Sequence, residues 1–194
     1  MHIVVFGGAF DPPHLGHQAI AENVVSQGIA DEVWFVPVRE HSFLKRLSAP
    51  EHRQAMLQLM LPAHCRIETY ELETEGINYT FNTLDALHQK YPQHQFSWII
   101  GSDNLAKFHT WGDAHGRTYK ELLASYRFYV YPREGHIFEP LYEGMVPLPN
   151  MPVVTVSSTQ VRAAIESGQP YQHLVTPAVA HYIAKQHLYS EIKK

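Results

Sequence analysis

Residues 4–17 read VVFGGAFDPPHLGH, and the order of residue types in this stretch sets the fold. Ile3-Val4-Val5-Phe6 is a continuous apolar run, the pattern of a strand buried on both faces. Gly7-Gly8 interrupts it and Asp11-Pro12-Pro13 turns the chain. Leu15, Ala19, Ile20 and Val24 then recur at helical spacing as far as Gly28, which stands where a C-cap is expected. Buried strand, tight turn and helix in that order make the first βα unit of a parallel sheet.

The rest of the chain repeats the alternation. Val33–Val36 reads as a second buried strand stopped by Pro37, followed by a helix from about Ala49 with Met56, Leu57 and Met60 on its apolar face. Arg66-Ile67-Glu68 is a third strand, residues 80–90 a helix with Leu84 and Leu87 inward, and Phe96–Ile100 a fourth strand ending in Gly101-Ser102-Asp103. A helix over Tyr119–Ala124 and a strand over Arg127–Tyr131 follow. Residues 132–152, rich in Pro and Gly, read as a surface excursion, Val153–Val156 as a last short strand, and two helices begin near Ser158 and Pro177. Strands separated by helices of this length need crossovers. The expectation is therefore an α/β fold with a doubly wound, mostly parallel sheet of Rossmann-like type. A single domain over 1–194, with a C-terminal helical portion from about 157, accounts for the length.

Composition excludes several classes. The chain is 45% hydrophobic and 18% charged, which is globular, and its net charge of −4 offers no basic surface for nucleic acid. Cys65 is the lone cysteine, so neither a disulfide framework nor a thiol metal site is available. No stretch approaches the roughly 20 apolar residues of a membrane span, and the first residues lack the basic and apolar regions of a signal peptide. A cytoplasmic protein without membrane or nucleic-acid partners is expected. The 14 histidines are scattered, and most are expected at the surface.

Two places carry chemistry. Glycines at the carboxyl end of a first parallel strand let a ligand approach the backbone, and the next helix aims its free amides at that spot, which favours an anion such as a phosphate. A strand-to-helix turn could need Gly7 and Gly8 for geometry alone, and the pair is not GxGxxG, so the dinucleotide fingerprint is missing. His14 and His17 stand at i and i+3 at the helix mouth, on one face. A metal site would need a third ligand from elsewhere in the fold. Two imidazoles facing a helix N-terminus suit stabilisation of charge that builds up in phosphoryl or nucleotidyl transfer. Some 140 residues later, Ser157-Ser158-Thr159-Gln160-Val161-Arg162 places capping hydroxyls at a helix start and a guanidinium one turn in, within reach of an anion held there.

Gly7-Gly8-Ala9-Phe10-Asp11-Pro12-Pro13-His14-Leu15-Gly16-His17 resembles the signature of the HxGH nucleotidyltransferase superfamily, in its nicotinate-nucleotide adenylyltransferase branch. Ser157–Arg162 resembles the second signature, SSTxxR. Asn78-Tyr79-Thr80 with Thr83-Leu84 is similar to the family's YTxxTL, Gly101-Ser102-Asp103-Asn104-Leu105 to its GxDxL, and Pro177 to Tyr189 to its closing helix. One departure stands after the second strand. The family's Pro-Pro-His-Lys is replaced by Pro37-Val38-Arg39-Glu40-His41-Ser42-Phe43-Leu44-Lys45, where His41 and Lys45 have a different spacing.

The resemblance implies transfer of AMP from ATP to nicotinate mononucleotide, giving deamido-NAD and pyrophosphate. It implies His14 and His17 as catalytic groups. Gly7, Gly8, Phe10, Lys45, Gly101, Asp103, Ser158, Thr159 and Arg162 would bind ATP. Asp11, Tyr79, Thr80, Thr83 and Trp111 would lie on the pyridine-nucleotide side, with Trp111 stacked on the ring. Mg²⁺ would come with the triphosphate, held by no dedicated carboxylate cage. ATP and a pyridine mononucleotide are the expected partners, and a homo-oligomer is compatible with the resemblance. The rivals are another phosphorylated acceptor, such as nicotinamide mononucleotide or a phosphopantetheine, and a nucleotide-binding module without catalysis. A CTP-using relative fits SSTxxR less well.

Overall fold

A computed structural model describes residues 1–39, 47–76 and 78–190. The long apolar runs form the strands β1 (His2–Gly8), β2 (Glu32–Pro37), β4 (Gln95–Gly101) and β5 (Arg127–Tyr131), with the short β3 (Cys65–Ile67) and β6 (Met145–Pro147) at the edges. The six pair in parallel in the order β3-β2-β1-β4-β5-β6. The order reverses between β1 and β4, so a crevice opens there at the carboxyl ends of the strands.

Alternation along each strand divides the core in two. Val4, Phe6, Val33 and Phe35 face one layer, formed by α1 (Leu15–Ser26), α2 (Pro50–Met60), α6 (Ser158–Glu166) and α7 (Pro177–Lys185). Ile3, Val5, Trp34, Val36, Trp98 and Ile100 face the other, formed by α4 (Thr80–Lys90), a 3₁₀ helix (Ser102–Thr110) and α5 (Tyr119–Ser125). Both faces are covered, which is why these strands read as unbroken apolar runs. No helix among the described residues is long and apolar enough to cross a membrane.

Two local readings need correction, and one short helix was not anticipated. Residues 132–152 do not merely cross the surface: Met145–Pro147 adds β6 to β5, and Met145 and Met151 are buried. Val153–Val156 forms no strand. It makes a single parallel bridge, Arg133 to Val154, because β6 already occupies the edge of β5 that it would have paired with. A one-turn helix, α3 (Tyr70–Glu73), stands between β3 and α4 where sequence gave no periodicity to find. In α2 the inward face also holds a charge. Arg53 is fully buried and donates to the carbonyls of Ser48 (3.0 Å), Ala9 (2.9 Å) and Arg39 (3.3 Å), joining the turn after β1 to the segment after β2. The departure loop lies mostly outside the described residues, His41 and Lys45 included.

Candidate active site

The turn after β1 is held from several sides. Gly7 has no room for a side chain, since a Cβ there would run into the Trp98 indole, and one on Gly8 would come within 3.2 Å of the Phe10 ring. Phe10 takes a left-handed backbone (φ 49°), uncommon for a bulky residue, and its buried ring meets His17 edge-on with centroids 4.9 Å apart. Packing alone therefore accounts for Gly7, a Cβ on Gly8 would be a tight fit against Phe10, and Phe10 supports the histidine from beneath.

Asp11, expected on the substrate side, is buried and fully engaged. Oδ1 accepts from the Tyr189 hydroxyl (2.5 Å), Oδ2 from the Ser48 amide (3.0 Å), and its carbonyl from Arg162 Nη1 (2.6 Å). The Ser158 hydroxyl donates to the Pro12 carbonyl at 2.8 Å. The two motifs, 146 residues apart at this contact, thus touch directly. Asp11 fastens the turn through both carboxylate oxygens and its carbonyl.

The turn delivers His14 to the N-cap of α1 and His17 to its third position. Their rings stack with centroids 3.6 Å apart and planes 22° apart. The His14 amide donates to His17 Nδ1 (3.1 Å), so a neutral His17 carries its proton on Nε2. Gly16 completes the arrangement: a Cβ would meet Val154 Cγ1 at 2.5 Å and the His14 ring at 3.1 Å. Burial, with Arg133 adding to it, lowers His14 to about 3, and burial lowers His17 well below its ordinary 6.5, with His14 and Arg133 acting the same way. Both rings are neutral donors at pH 7 in the free protein. Two stacked cations would repel, whereas two neutral rings do not.

An NMR titration checks this. The His14 ring signals should stay fixed from pH 8 down to pH 5. The unfolded chain takes up protons first as pH falls below 6.5, so the pair should also reduce stability on acidification across the window down to about 3. A His14 midpoint near 6.5 would contradict the burial argument.

A cavity of about 310 Å³ opens above the histidines at the switch point between β1 and β4. Its opposite wall is the first turn of α6. The Ser157 hydroxyl oxygen caps that helix by accepting from the Gln160 backbone amide (3.2 Å), and Gln160 Oε1 in turn accepts from the Ser157 backbone amide (2.7 Å). The amides of Ser158 and Thr159 lie in the first turn, where no intrahelical acceptor exists for them. Thr159 is exposed, and Arg162 donates to its hydroxyl at 3.3 Å. The third wall comes from the ends of β4 and β5. Asp103 and Arg133 stand there with Nε 3.8 Å from Oδ1, and Arg133 Nη1 also donates to the Val156 carbonyl (3.0 Å). Gly101 lies under this pair, where a Cβ would collide with the Asp103 carboxylate. A larger cavity, about 480 Å³, lies at the opposite ends of the strands beside His2, His94 and Arg127, away from both motifs.

The fold brings Phe10, His14, His17, Asp103, Ser158, Thr159 and Arg162 to one cavity. Tyr79, Thr80, Thr83 and Trp111 are not among its walls. Tyr79 and Thr80 are half-buried at the start of α4, and Trp111 is half-buried with its ring 4.9 Å from that of Phe108. Thr83 is fully buried with its hydroxyl 2.5 Å from Glu71 Oε1, so it offers nothing to a ligand. Arg133 was not singled out by sequence. Asking which charged residue follows each strand at its carboxyl end would have found it, as it would Asp103, which the sequence offered through its likeness to GxDxL.

The cytidylyltransferase-like family matches residues 5–164. The nicotinate-nucleotide adenylyltransferase of Bacillus subtilis is 35% identical over 193 residues, covering 96% of this chain and 97% of that protein. A probable nicotinate-nucleotide adenylyltransferase of Halalkalibacterium halodurans is 35% identical over 192 residues, covering 96% and 90%. Among solved structures, Plasmodium falciparum nicotinic acid mononucleotide adenylyltransferase complexed with NaAD has the same fold, with a TM-score of 0.78 at 21% identity over 97% of each chain.

Proposed function

Since the chain belongs to the cytidylyltransferase-like family and, within it, to the nicotinate-nucleotide adenylyltransferases, we infer that it transfers AMP from ATP to nicotinate mononucleotide, forming deamido-NAD and pyrophosphate in NAD biosynthesis. The observation that carries this reading is the direct contact of the two motifs, Ser158 to Pro12 and Arg162 to Asp11, around one cavity.

The chemistry is an in-line displacement. An oxygen of the acceptor phosphate bonds to the α-phosphorus of ATP while the bond from that phosphorus to the pyrophosphate oxygen breaks. The acceptor oxygen is already anionic, so no residue has to remove a proton, and catalysis reduces to positioning and charge stabilisation. His17, with Nε2–H fixed as donor, faces the oxygens on which charge develops. His14 stacks on it and supplies a second neutral ring. The first-turn amides of α6, the Thr159 hydroxyl and the remaining N–H groups of Arg162 receive the departing pyrophosphate. Ser158 contributes its amide, because its hydroxyl is already donated to Pro12. Arg133 adds a cation to the same cavity.

A divalent ion, Mg²⁺ for ATP, neutralises triphosphate charge when bound. Asp103 is the only acid among the described residues lining the cavity, and no group of three or more ligating side chains occurs among the described residues. One carboxylate with phosphate oxygens and water fits an ion that keeps most of its hydration.

The acceptor is read at the N-terminal turn of α4. Tyr79 and Thr80 offer hydroxyls there, the helix dipole favours an anion, and no lysine or arginine lies between residues 67 and 89. A site built from donors rejects a carboxamide presented to it, so kcat/KM should be at least roughly tenfold higher for nicotinate than for nicotinamide mononucleotide. Pyrophosphate release measured across both mononucleotides and a phosphopantetheine tests this. Equal efficiency on the two mononucleotides would remove the acceptor assignment, and no release with any acceptor would favour the non-catalytic alternative.

A further inference from the structure

Glu71 on α3 is 3% exposed, and the mechanism above makes no use of it. Its Oε1 lies 2.5 Å from the hydroxyl of the fully buried Thr83, on the second turn of α4. Its Oε2 is buried and meets no hydrogen-bond partner among the described residues. The Asn78 side-chain Nδ2 donates to the Glu71 carbonyl at 3.1 Å, so the segment entering α4 is tied to the same residue.

Counting protons tells which form of the acid fits. The Thr83 hydroxyl has one hydrogen and two acceptors in reach, Glu71 Oε1 at 2.5 Å and the Tyr79 carbonyl at 3.4 Å. With a proton on Glu71, both contacts are made: the acid donates to Thr83, and Thr83 donates to Tyr79 at the N-cap. As a carboxylate Glu71 instead accepts the Thr83 hydrogen, a charge-assisted and stronger contact that leaves Tyr79 without it. Oε2 meets no donor among the described residues in either form, and that costs far more when the group is a buried carboxylate than when it is a neutral acid. Among the described residues, no cation on the adjoining elements compensates. Arg66 and Lys90 are paired with Glu68, and Arg39 donates to the Leu72 carbonyl. The acids nearby are engaged too, Glu73 with Thr69 and Asp85 with Arg117. Burial pushes the Glu71 carboxyl up to about 7, opposed only by the Thr83 contact.

Resting on the reading that the acceptor's carboxylate is held at the first turn of α4, we propose that Glu71 is a positioning residue for acceptor selection: as an uncharged acid it holds Thr83 and that turn in place, and as a carboxylate it repels the nicotinate group. The consequence is a preference for the acid form of the acceptor that depends on pH. The binding-competent fraction falls about tenfold between pH 6 and pH 8 for a midpoint at 7, and apparent affinity falls with it. The uncharged carboxamide of nicotinamide mononucleotide feels no such repulsion, and the phosphate both substrates share cancels in their ratio.

Steady-state kinetics at pH 6, 7 and 8 with both mononucleotides tests the proposal in the parent and in Glu71→Gln. The nicotinate-to-nicotinamide ratio of kcat/KM should fall about tenfold in the parent, through KM for the nicotinate form with kcat little changed, and should be constant in Glu71→Gln. A constant ratio in the parent, or a decline that survives in Glu71→Gln, overturns the proposal while leaving the acceptor assignment standing. No preference at pH 6 takes down the acceptor assignment, and this inference with it. Should Glu71→Gln not fold, Thr83→Val replaces it. Loss of the one contact that opposes burial should move the midpoint of the parent's decline to higher pH, and an unmoved midpoint overturns the proposal.

Discussion

His17→Ala should lower kcat by roughly two orders of magnitude or more, the scale of losing one preorganised donor to developing charge, while ATP binding changes far less. The asymmetry follows from the geometry. The His14 amide fixes Nδ1 of His17 as an acceptor, so the proton stands on Nε2 before substrate arrives. Burial keeps the ring neutral, so it brings little Coulombic attraction to the ground-state triphosphate. Its contribution grows as charge builds up on the reacting oxygens. Turnover under saturating substrates is the measurement, and a variant within about threefold of the parent sinks the assignment.

Alanine also removes packing, since the His17 ring lies 4.9 Å from that of Phe10 and 5.6 Å from that of Phe6. His17→Phe separates the two effects. Phenylalanine keeps an aromatic ring against Phe10 and supplies no N–H donor. If His17 acts as a donor, phenylalanine and alanine lose turnover alike. If it serves only as packing, phenylalanine restores most of it.

How much of this was legible in sequence depended on whether a residue's role is local. β1, β2, β4 and β5 could be read because a strand buried on both faces has no polar position to blur the run. Met145–Pro147 and Val153–Val156 show the limit. The second is the more β-prone stretch, yet Met145–Pro147 pairs with β5 and Val153 remains 56% exposed. Which segment takes an open sheet edge is decided by tertiary competition, and three residues carry no periodicity of their own. At the site, His14, His17, Ser158, Thr159 and Arg162 were legible because helix N-termini impose fixed spacing on caps and charges. Asp11 and Thr83 sit inside such motifs but bond to Ser48, Tyr189 and Glu71, partners that spacing does not announce. Arg133 and Glu71 belong to no motif. Their importance lies in what surrounds them, a cavity wall for one and a missing donor for the other.

Arg162→Ala should mainly weaken ATP, and the structure explains why the loss will show in two observables. Arg162 donates from Nη1 to the Asp11 carbonyl and from Nη2 to Thr159, which aims the guanidinium along the α6 wall of the cavity and leaves its other N–H groups for an anion. Losing a charge-assisted contact costs roughly 1.5–3 kcal/mol, about ten- to 150-fold in affinity for an unhydrolysable ATP analogue. The same substitution also removes a fastening of the histidine turn, so the melting temperature of the free protein should fall with it. Arg162→Lys distinguishes charge from geometry. A lysine keeps the positive charge but, as a point donor on a flexible stem, cannot hold the Asp11 carbonyl and a phosphate together in one planar fork. If the planar fork matters, Arg162→Lys recovers only a small part of the lost affinity. If charge alone matters, it recovers most. Calorimetric titration reads the affinity in all three proteins, and an unchanged value in Arg162→Ala removes Arg162 from the nucleotide site, leaving it the turn alone.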